Sequence, residues 1–551
     1  MANTLKNNKW LWIIFVVFIF TRFLGLGQIY HQDEYRWASI ANPVFGDLAS
    51  PHPPLPEYLY KISGRILGFD YLRIVPLVFG FLNLVLIYFI SIKITKNKKI
   101  ALIAAGLFMI NVYSLIANLQ IDIDGAILPF FILLSYYAYL HILEDGKSKK
   151  WLILFCLAVG GGFLTKLSFL LFIAALFVDQ GLRVYYSRQR NIKQIFSGLW
   201  PWVTGFLVLG VLLYYFYASN FGKIIEYAKH FNSLNFSSRA YFDLGFKLLK
   251  SLVWLSPLLF LPVLYGLFRK EVFQKYLIWF VYLGLNLIFY LILFDFARLT
   301  IERYFMFFIV PSVIIGSHII YEFLHDFRWK TNYLFIISIS VFFIAVSLFI
   351  LSLPHSVLPL NPKIEYLNHL KSFDLKFLIP FTGGSGPVGF YHSAGFVFWM
   401  WVSAVILFTF SLAVKNHRHY FMLAFVIAGL IYNLFMSVEY LFGVAFGSVP
   451  NVARRTIDYV VENRNIDRVI TYYDTGAYYL KQSGQYSSRF YTAPLRDYRE
   501  KLSQFDGYYM IVDFPAIDKS GRYWPYLQRC KNVKKFSDKK VEAYILDCQG
   551  I

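Results

Sequence analysis

Carboxylates are scarce in this chain, so the places where they gather are informative. Its 551 residues include 32 Asp or Glu against 53 Lys or Arg. Asp33 and Glu34 stand together in HQDEYRWASIANP, and Asp122 and Asp124 in QIDIDGAILPFF. Paired carboxylates at one site supply a general base and can hold a cation or a cationic substrate. An isolated Asp–Glu dipeptide also suits an ordinary solvated loop. Asp122 and Asp124 lie against apolar sequence, where an ionisable group is costly and more often functional. His52 sits in SPHPPLPEYLY, where Pro53 and Pro54 stiffen the chain and set the start of a surface helix from about Leu55. Lys166 in GGGFLTKLSF and Arg303 in LTIERYFMFFIVP add cations suited to a phosphate. Each has a plainer reading: a linker histidine, a snorkelling lysine, a surface pair of Arg298 or Arg303 with Glu302.

The composition says what must position these residues. Hydrophobic residues make up 58% and charged residues 15%, with mean hydropathy +0.52. Soluble domains average about 45–50% apolar and about 25% charged, so a disordered or purely soluble chain is excluded. Residues 10–29 form an apolar run of about twenty residues behind Lys6 and Lys9, which reads as an uncleaved signal anchor. Further spans are expected near 75–92, 100–118, 125–142, 151–165, 167–182, 200–218, 252–268, 276–294, 304–322, 333–353, 396–414 and 420–443, about thirteen in all.

The formal charge of +21 tests that arrangement. With the N-terminus cytoplasmic, the excess falls in inside loops: Lys93, Lys96, Lys98 and Lys99, then Lys147, Lys149 and Lys150, and so on along the chain. The acid groups, His52, Lys166 and Arg303 all fall on the opposite, extracytoplasmic face. Arg22 is inside the first span, near enough to its outer end to snorkel. Residues 1–445 are thus expected to be a transmembrane domain whose outer loop 30–74 carries the first acidic motif. Residues 446–551 are polar enough for a small extracytoplasmic α/β domain. Helices are expected there at 452–463 and 476–482, and strands at 468–472, 507–513 and 541–546. Cys530 and Cys548 lie in this tail, where a disulfide and two free thiols are both open. The stretch 382–395, TGGSGPVGFYHSAG, reads as a flexible outer connection or a mobile lid.

The arrangement resembles the membrane glycosyltransferases of the GT-C class, and among them the protein O-mannosyltransferases and lipid A aminoarabinose transferases. The resemblance covers about the first 320 residues. Its motifs are Asp33–Glu34–Tyr35, His52–Leu55, Asp124 to Phe130, Leu164–Lys166, and Arg303–Tyr304 with Pro311. It implies a polytopic helical fold and inverting transfer of one sugar from a polyprenyl-phosphate carrier to a lipid, protein or polysaccharide acceptor. Asp33 would be the base, Glu34 would support it or orient the acceptor, and Asp124 would be the second acid. His52, Asp122, Lys166, Arg303 and Tyr304 would bind substrate, the cations stabilising the leaving phosphate. A divalent metal ion is left open, with His230 as its one candidate ligand.

Two other readings compete. ITYYDTGAYY at 470–479 echoes the WWDYG motif of oligosaccharyltransferases, without either Trp, and suits a strand–turn–helix joint around Asp474 and Gly476 equally well. A transporter or lipid flippase would place ionisable residues or broken helices near the bilayer midplane. The basic residues are dispersed over many loops, which argues against a nucleic-acid partner.

Overall fold

A helix satisfies its own backbone hydrogen bonds, so the apolar runs fold as helices. In this computed structural model, residues 8–551 are described except 32, 49, 51, 146–147, 187–209, 212–240, 294–301, 326, 328–331, 361, 383–388, 472–474, 486–489, 493–505 and 522–523. In chain order come α1 (Lys9–Phe23), α2 (Asp33–Ala41), α3 (Pro54–Leu67), α4 (Ile74–Thr95), α5 (Lys98–Ile110), α6 (Ile127–Glu144), α7 (Lys149–Thr165) and α8 (Phe169–Tyr186). These are followed by α9 (Tyr241–Leu255), α10 (Pro257–Phe268), α11 (Leu277–Ile288), a 3-10 helix at Glu302–Phe308 leading into α12 (Ile309–Leu324), and α13 (Tyr333–Ser352). α14 (Ala394–Ala413) and α15 (Arg418–Phe442) end the apolar part.

The chain is a mainly helical, polytopic membrane protein. Among the described residues, six helical stretches are long and apolar enough to cross a bilayer, those containing α4, α6, α12, α13, α14 and α15. The other expected runs form shorter apolar helices, and 200–218 falls outside the described residues apart from 210–211. Two runs read as single spans are broken. The run 252–268 bends by 107° between α9 and α10. Ser256 precedes Pro257, and proline disfavours the α conformation in the residue before it. The run 100–118 stops at Asn111, whose side chain caps a new short helix at Ser114 N–H.

These breaks meet in one polar knot. Asn111 donates to Leu255 O and to Asn433 Oδ1, and Asn433 donates to Ser256 Oγ while accepting Val112 N–H. Side chains thus take up the backbone groups that the breaks release. Arg22 does not snorkel. It is 1% exposed, donates to Met109 O at the end of α5, and lies 4.2 Å from the Phe18 ring.

Two sheets lie outside the apolar part. β1 (Ser356–Val357), β2 (Phe377–Phe381) and β3 (Phe390–Ser393) form a three-stranded sheet, so residues 390–395 of the glycine-rich stretch are strand and helix start rather than loop; 383–388 fall outside the described residues. In the tail, α16 (Val449–Glu462), β4 (Val469–Thr471), α17 (Ala477–Leu480), β5 (Phe490–Thr492), β6 (Tyr508–Val512), β7 (Lys531–Asp538) and β8 (Val541–Asp547) give a sheet of order β5-β4-β6-β8-β7. The pairs β5–β4 and β4–β6 are parallel, the rest antiparallel. Val452, Ile457 and Val460 of α16 pack on Ala543 and Ile545, in a core that also takes in Ile29, Leu378 and Tyr391.

Cys530 and Cys548 form a disulfide across a separation of 18 residues. Closing a loop of that length stabilises by about 3 kcal/mol in the chain-entropy account. The double variant Cys530→Ser/Cys548→Ser is expected to lose amide-exchange protection in β7 and β8 by a comparable amount while the membrane helices keep theirs. Unchanged protection in both strands would refute it.

Candidate active site

The site is assembled by four local features. α2 begins at Asp33, so this carboxylate sits at a helix N-terminus, where the helix dipole favours negative charge. Residues 118–126 form a wholly buried loop that carries Asp122 and Asp124. Gly125 permits its tight fold, because a Cβ there would lie 2.5 Å from Ala117 O. Lys166 caps α7 in an extended conformation, and the 3-10 helix before α12 presents Arg303.

The structure brings Asp33, Asp122, Asp124, Lys166 and Arg303 into one cluster. Arg303 lies at its centre, 6% exposed. Its Nη2 is 2.8 Å from Asp33 Oδ2, its Nη1 3.0 Å from Asp122 Oδ2, and its Nε 3.9 Å from Asp124 Oδ2. The last two are charge contacts only: Nε, Nη1 and Asp122 Oδ2 are buried without an aligned hydrogen bond. Lys166 Nζ donates to both oxygens of Asp124 at 2.6 and 2.7 Å, and sits 4.8 Å above the Tyr304 ring. Burial pushes the Asp122 carboxyl up to about 6, with Arg303 opposing the shift. Asp33 is the most accessible acid, its side chain 20% exposed against 2% and 8% for Asp122 and Asp124.

His52 stacks on Trp37 with centroids 5.8 Å apart. Burial first, then the charges of Lys166 and Arg303, lower its pKa to about 4. An imidazole with that pKa is neutral near pH 7. Among the described residues, no three His, Cys, Asp or Glu side chains group as a metal site, since the acids here face Arg303 and Lys166. His230 lies outside the described residues, as do Arg298 and Asp474.

Glu34 is not beside Asp33 in the cluster. It is fully buried and paired with Arg73, at 2.5 and 2.8 Å through its two oxygens, and accepts Ile121 N–H at 2.9 Å. Adjacent residues on a helix point about 100° apart, so Asp33 faces the cluster while Glu34 turns inward. Burial pushes the Glu34 carboxyl up to about 7, against the pull of Arg73 and Ile121 N–H. Arg73 also donates to Gln28 O, Ile29 O and Leu119 O. The pair therefore fixes α2 to the loop that carries Asp122 and Asp124. Glu302 likewise pairs away from Arg303, with Lys250 Nζ at 2.6 Å, and Tyr113 donates to its backbone oxygen. Sequence reasoning missed Arg73 and Lys250. Arg73 carried a signal, as a cation immediately before an apolar span.

The tail reaches this region. Lys481 donates to Tyr35 OH, Asn42 donates to Tyr478 OH, and Thr475 Oγ1 lies 3.3 Å from His31 Nδ1. In the ITYYDTGAYY stretch, Gly476 has φ +80°, and a Cβ there would lie 2.6 Å from Ile457. Its described residues thus serve a strand–turn–helix joint docked on α2.

Residues 51–216 match the family described as dolichyl-phosphate-mannose-protein mannosyltransferase. In structure the chain is similar to ArnT from Cupriavidus metallidurans in the apo state, with TM-score 0.56 and 12% identity over 99% of this chain and 98% of that one. It is also similar to ArnT from the same organism bound to undecaprenyl phosphate, with TM-score 0.50 and 12% identity over 98% and 97%. At that identity the likeness establishes the fold, an ArnT-like GT-C arrangement. No curated protein matches the chain in sequence.

Removing one partner of a buried ion pair strands the other charge, at about 3–5 kcal/mol. Arg73→Met should therefore lower the thermal stability of the detergent-purified protein sharply, and Arg73→Met/Glu34→Leu should recover much of the loss. Equal melting of the single and double variants would show that the pair is not the anchor described.

Proposed function

We propose that the protein transfers one monosaccharide from a polyprenyl-phosphate carrier to an acceptor hydroxyl, with inversion, at the extracytoplasmic face of the membrane. The observation that carries this is the buried Arg303, set among Asp33, Asp122 and Asp124 beside Lys166, at the end of the spans opposite the lysine-rich loops. The ArnT-like fold and the family match over 51–216 support the same reading. ArnT has been crystallised with undecaprenyl phosphate, which makes that carrier a fitting probe here.

In this reading the acceptor hydroxyl gives its proton to Asp33, and its oxygen attacks the anomeric carbon. The bond from that carbon to the phosphate oxygen breaks on the opposite side, which inverts the centre and releases polyprenyl phosphate. Lys166 and Arg303 stabilise the negative charge on the departing phosphate. Arg303 has donors to spare for this, since its Nε and Nη1 lack aligned partners. Asp124 holds Lys166 in place, and neutral His52 adds a hydrogen bond at the phosphate. The lysine and arginine distribution supports an N-terminus in the cytoplasm and the α/β tail outside.

Loss of a general base typically costs about 10²–10⁴-fold in turnover. Asp33→Asn in purified protein should lose turnover on that scale with undecaprenyl-phosphate sugars, while undecaprenyl phosphate still binds. Lys166→Ala should weaken that binding about tenfold or more. Full turnover in Asp33→Asn would remove the assigned base. Solute transport by the reconstituted protein, with no sugar transferred, would favour the transporter reading.

A further inference from the structure

Tyr478 belongs to the tail, yet it is buried in the core on which the charged cluster is built. That core gathers Trp37, Ala38 and Ala41 of α2, Tyr60 of α3, and Ile121 and Ile123 of the loop that carries Asp122 and Asp124. Trp37 stacks on His52, and Tyr60 donates to Asp122 O at 2.8 Å. Among the described residues, Tyr478 is the one fully buried side chain that the tail adds to this core. Its ring lies 5.1 Å from Tyr30 and stacks on Phe45 at 5.5 Å, and its hydroxyl accepts from Asn42 Nδ2 at 3.1 Å. Tyr30 precedes α2, while Asn42 and Phe45 follow it, so one tail side chain ties both ends of that helix. Thr475 adds its contact with His31, whose backbone oxygen accepts Glu34 N–H in the first turn of α2.

We infer that the tail is part of the catalytic scaffold, and that Tyr478, assisted by Thr475, is a positioning residue for Asp33. The inference rests on the transferase reading above and adds what holds the base in place. α2 has nine residues. Helices shorter than about 12–15 residues are marginal by themselves, so the place of α2 is decided by what packs on it. The Glu34–Arg73 pair fixes it to the loop with Asp122 and Asp124. Tyr478 fixes it to the tail. The joint that carries Tyr478 is in turn held to the tail sheet. A Cβ at Gly476 would lie 2.6 Å from Ile457 of α16 and 2.9 Å from Met510 of β6, so the joint has no room to shift. A tail tethered only by the chain after α15 would need none of these contacts. Lys166 and Arg303 sit on α7 and on the turn before α12, outside this clasp. Loss of Tyr478 should therefore misplace the base and leave the phosphate-binding cations where they are.

The test uses the full chain in detergent, with undecaprenyl-phosphate sugars as donors, bare undecaprenyl phosphate as the binding probe, and amide exchange. Tyr478→Ala should lower kcat about tenfold or more, because a misplacement of 1 Å can cost about 10²-fold. Binding of the bare carrier should stay within about threefold, since its cations are not moved. Tyr478→Phe keeps the ring and should restore most of the turnover. Thr475→Val, which replaces one hydroxyl by a methyl group and is the safer variant for folding, should lower kcat in part. Amides of α2 and of Ile121 should exchange faster in Tyr478→Ala, while those of β6 and β8 keep their protection. Cys530→Ser/Cys548→Ser alters a separate core of the tail and should keep its kcat. An equal loss of kcat in that protein would assign the effect to general order of the tail and overturn the inference. So would unchanged kcat in both Tyr478→Ala and Thr475→Val, or carrier binding that falls as far as kcat. If the unaltered protein binds the carrier but turns over no donor, the transferase reading fails, and exchange in α2 alone decides whether Tyr478 holds that helix.

Discussion

A buried guanidinium has five N–H donors and cannot shed its charge, so it needs either five partners or a reason for having fewer. Arg73 has five: Gln28 O, Ile29 O, Leu119 O and both oxygens of Glu34. Each partner belongs to a segment that presents a site residue. Gln28 and Ile29 lead into α2, Glu34 is on it, and Leu119 opens the loop with Asp122 and Asp124. Arg303 contrasts with it. It is nearly as buried, yet two of its nitrogens lack aligned hydrogen bonds. One arginine is saturated and holds the frame. The other is under-satisfied and has capacity for a ligand.

The frame also explains why the helices break. Bending by 107° at Ser256 turns α9 away from the course of α10 and places Lys250 against Glu302. That contact, with Tyr113 on the Glu302 backbone, fixes the turn from which Arg303 projects. The price of each break is a set of unpaired backbone groups in an apolar setting, and Asn111, Ser256 and Asn433 answer it together. Broken helices here are therefore accounted for by the placement of the charged cluster.

The clustered charged residues were legible because the membrane makes charge rare. Asp122, Asp124, Lys166 and Arg303 stood out against apolar neighbours, and the structure gathers all four with Asp33. Glu34 was misjudged because adjacency in sequence is not adjacency on a helix. The bend at Ser256 was readable in principle from Pro257, but the apolar run on both sides masked it. β7, KNVKKFSD, looks like loop because it is an edge strand with most of its side chains in solvent. The sheet of β1, β2 and β3 escaped because its strands are only two to five residues long and depend on long-range pairing. Lys250 gave no sign at all, since its partner lies 52 residues away.

The charge balance of the cluster bears on how it would handle an anion. With every acid ionised, Asp33, Asp122 and Asp124 are balanced by Lys166, Arg303 and Arg36, the last paired with Asp33 at 3.5 Å. A phosphate entering such a site leaves it net negative unless a group takes up a proton or a partner is exchanged. Asp122 is suited to the first course, because burial already pushes its carboxyl up to about 6 and an added anion acts in the same direction. Protonation of Asp122 would loosen its charge contact with Arg303 Nη1, the nitrogen that already lacks an aligned hydrogen bond. On the proposed reading, one proton on Asp122 therefore restores the charge balance and turns Arg303 from the acid toward the phosphate. The three acids then divide by environment: Asp124 as the counter-ion of Lys166, Asp122 as the buffer, and the more exposed Asp33 as the base.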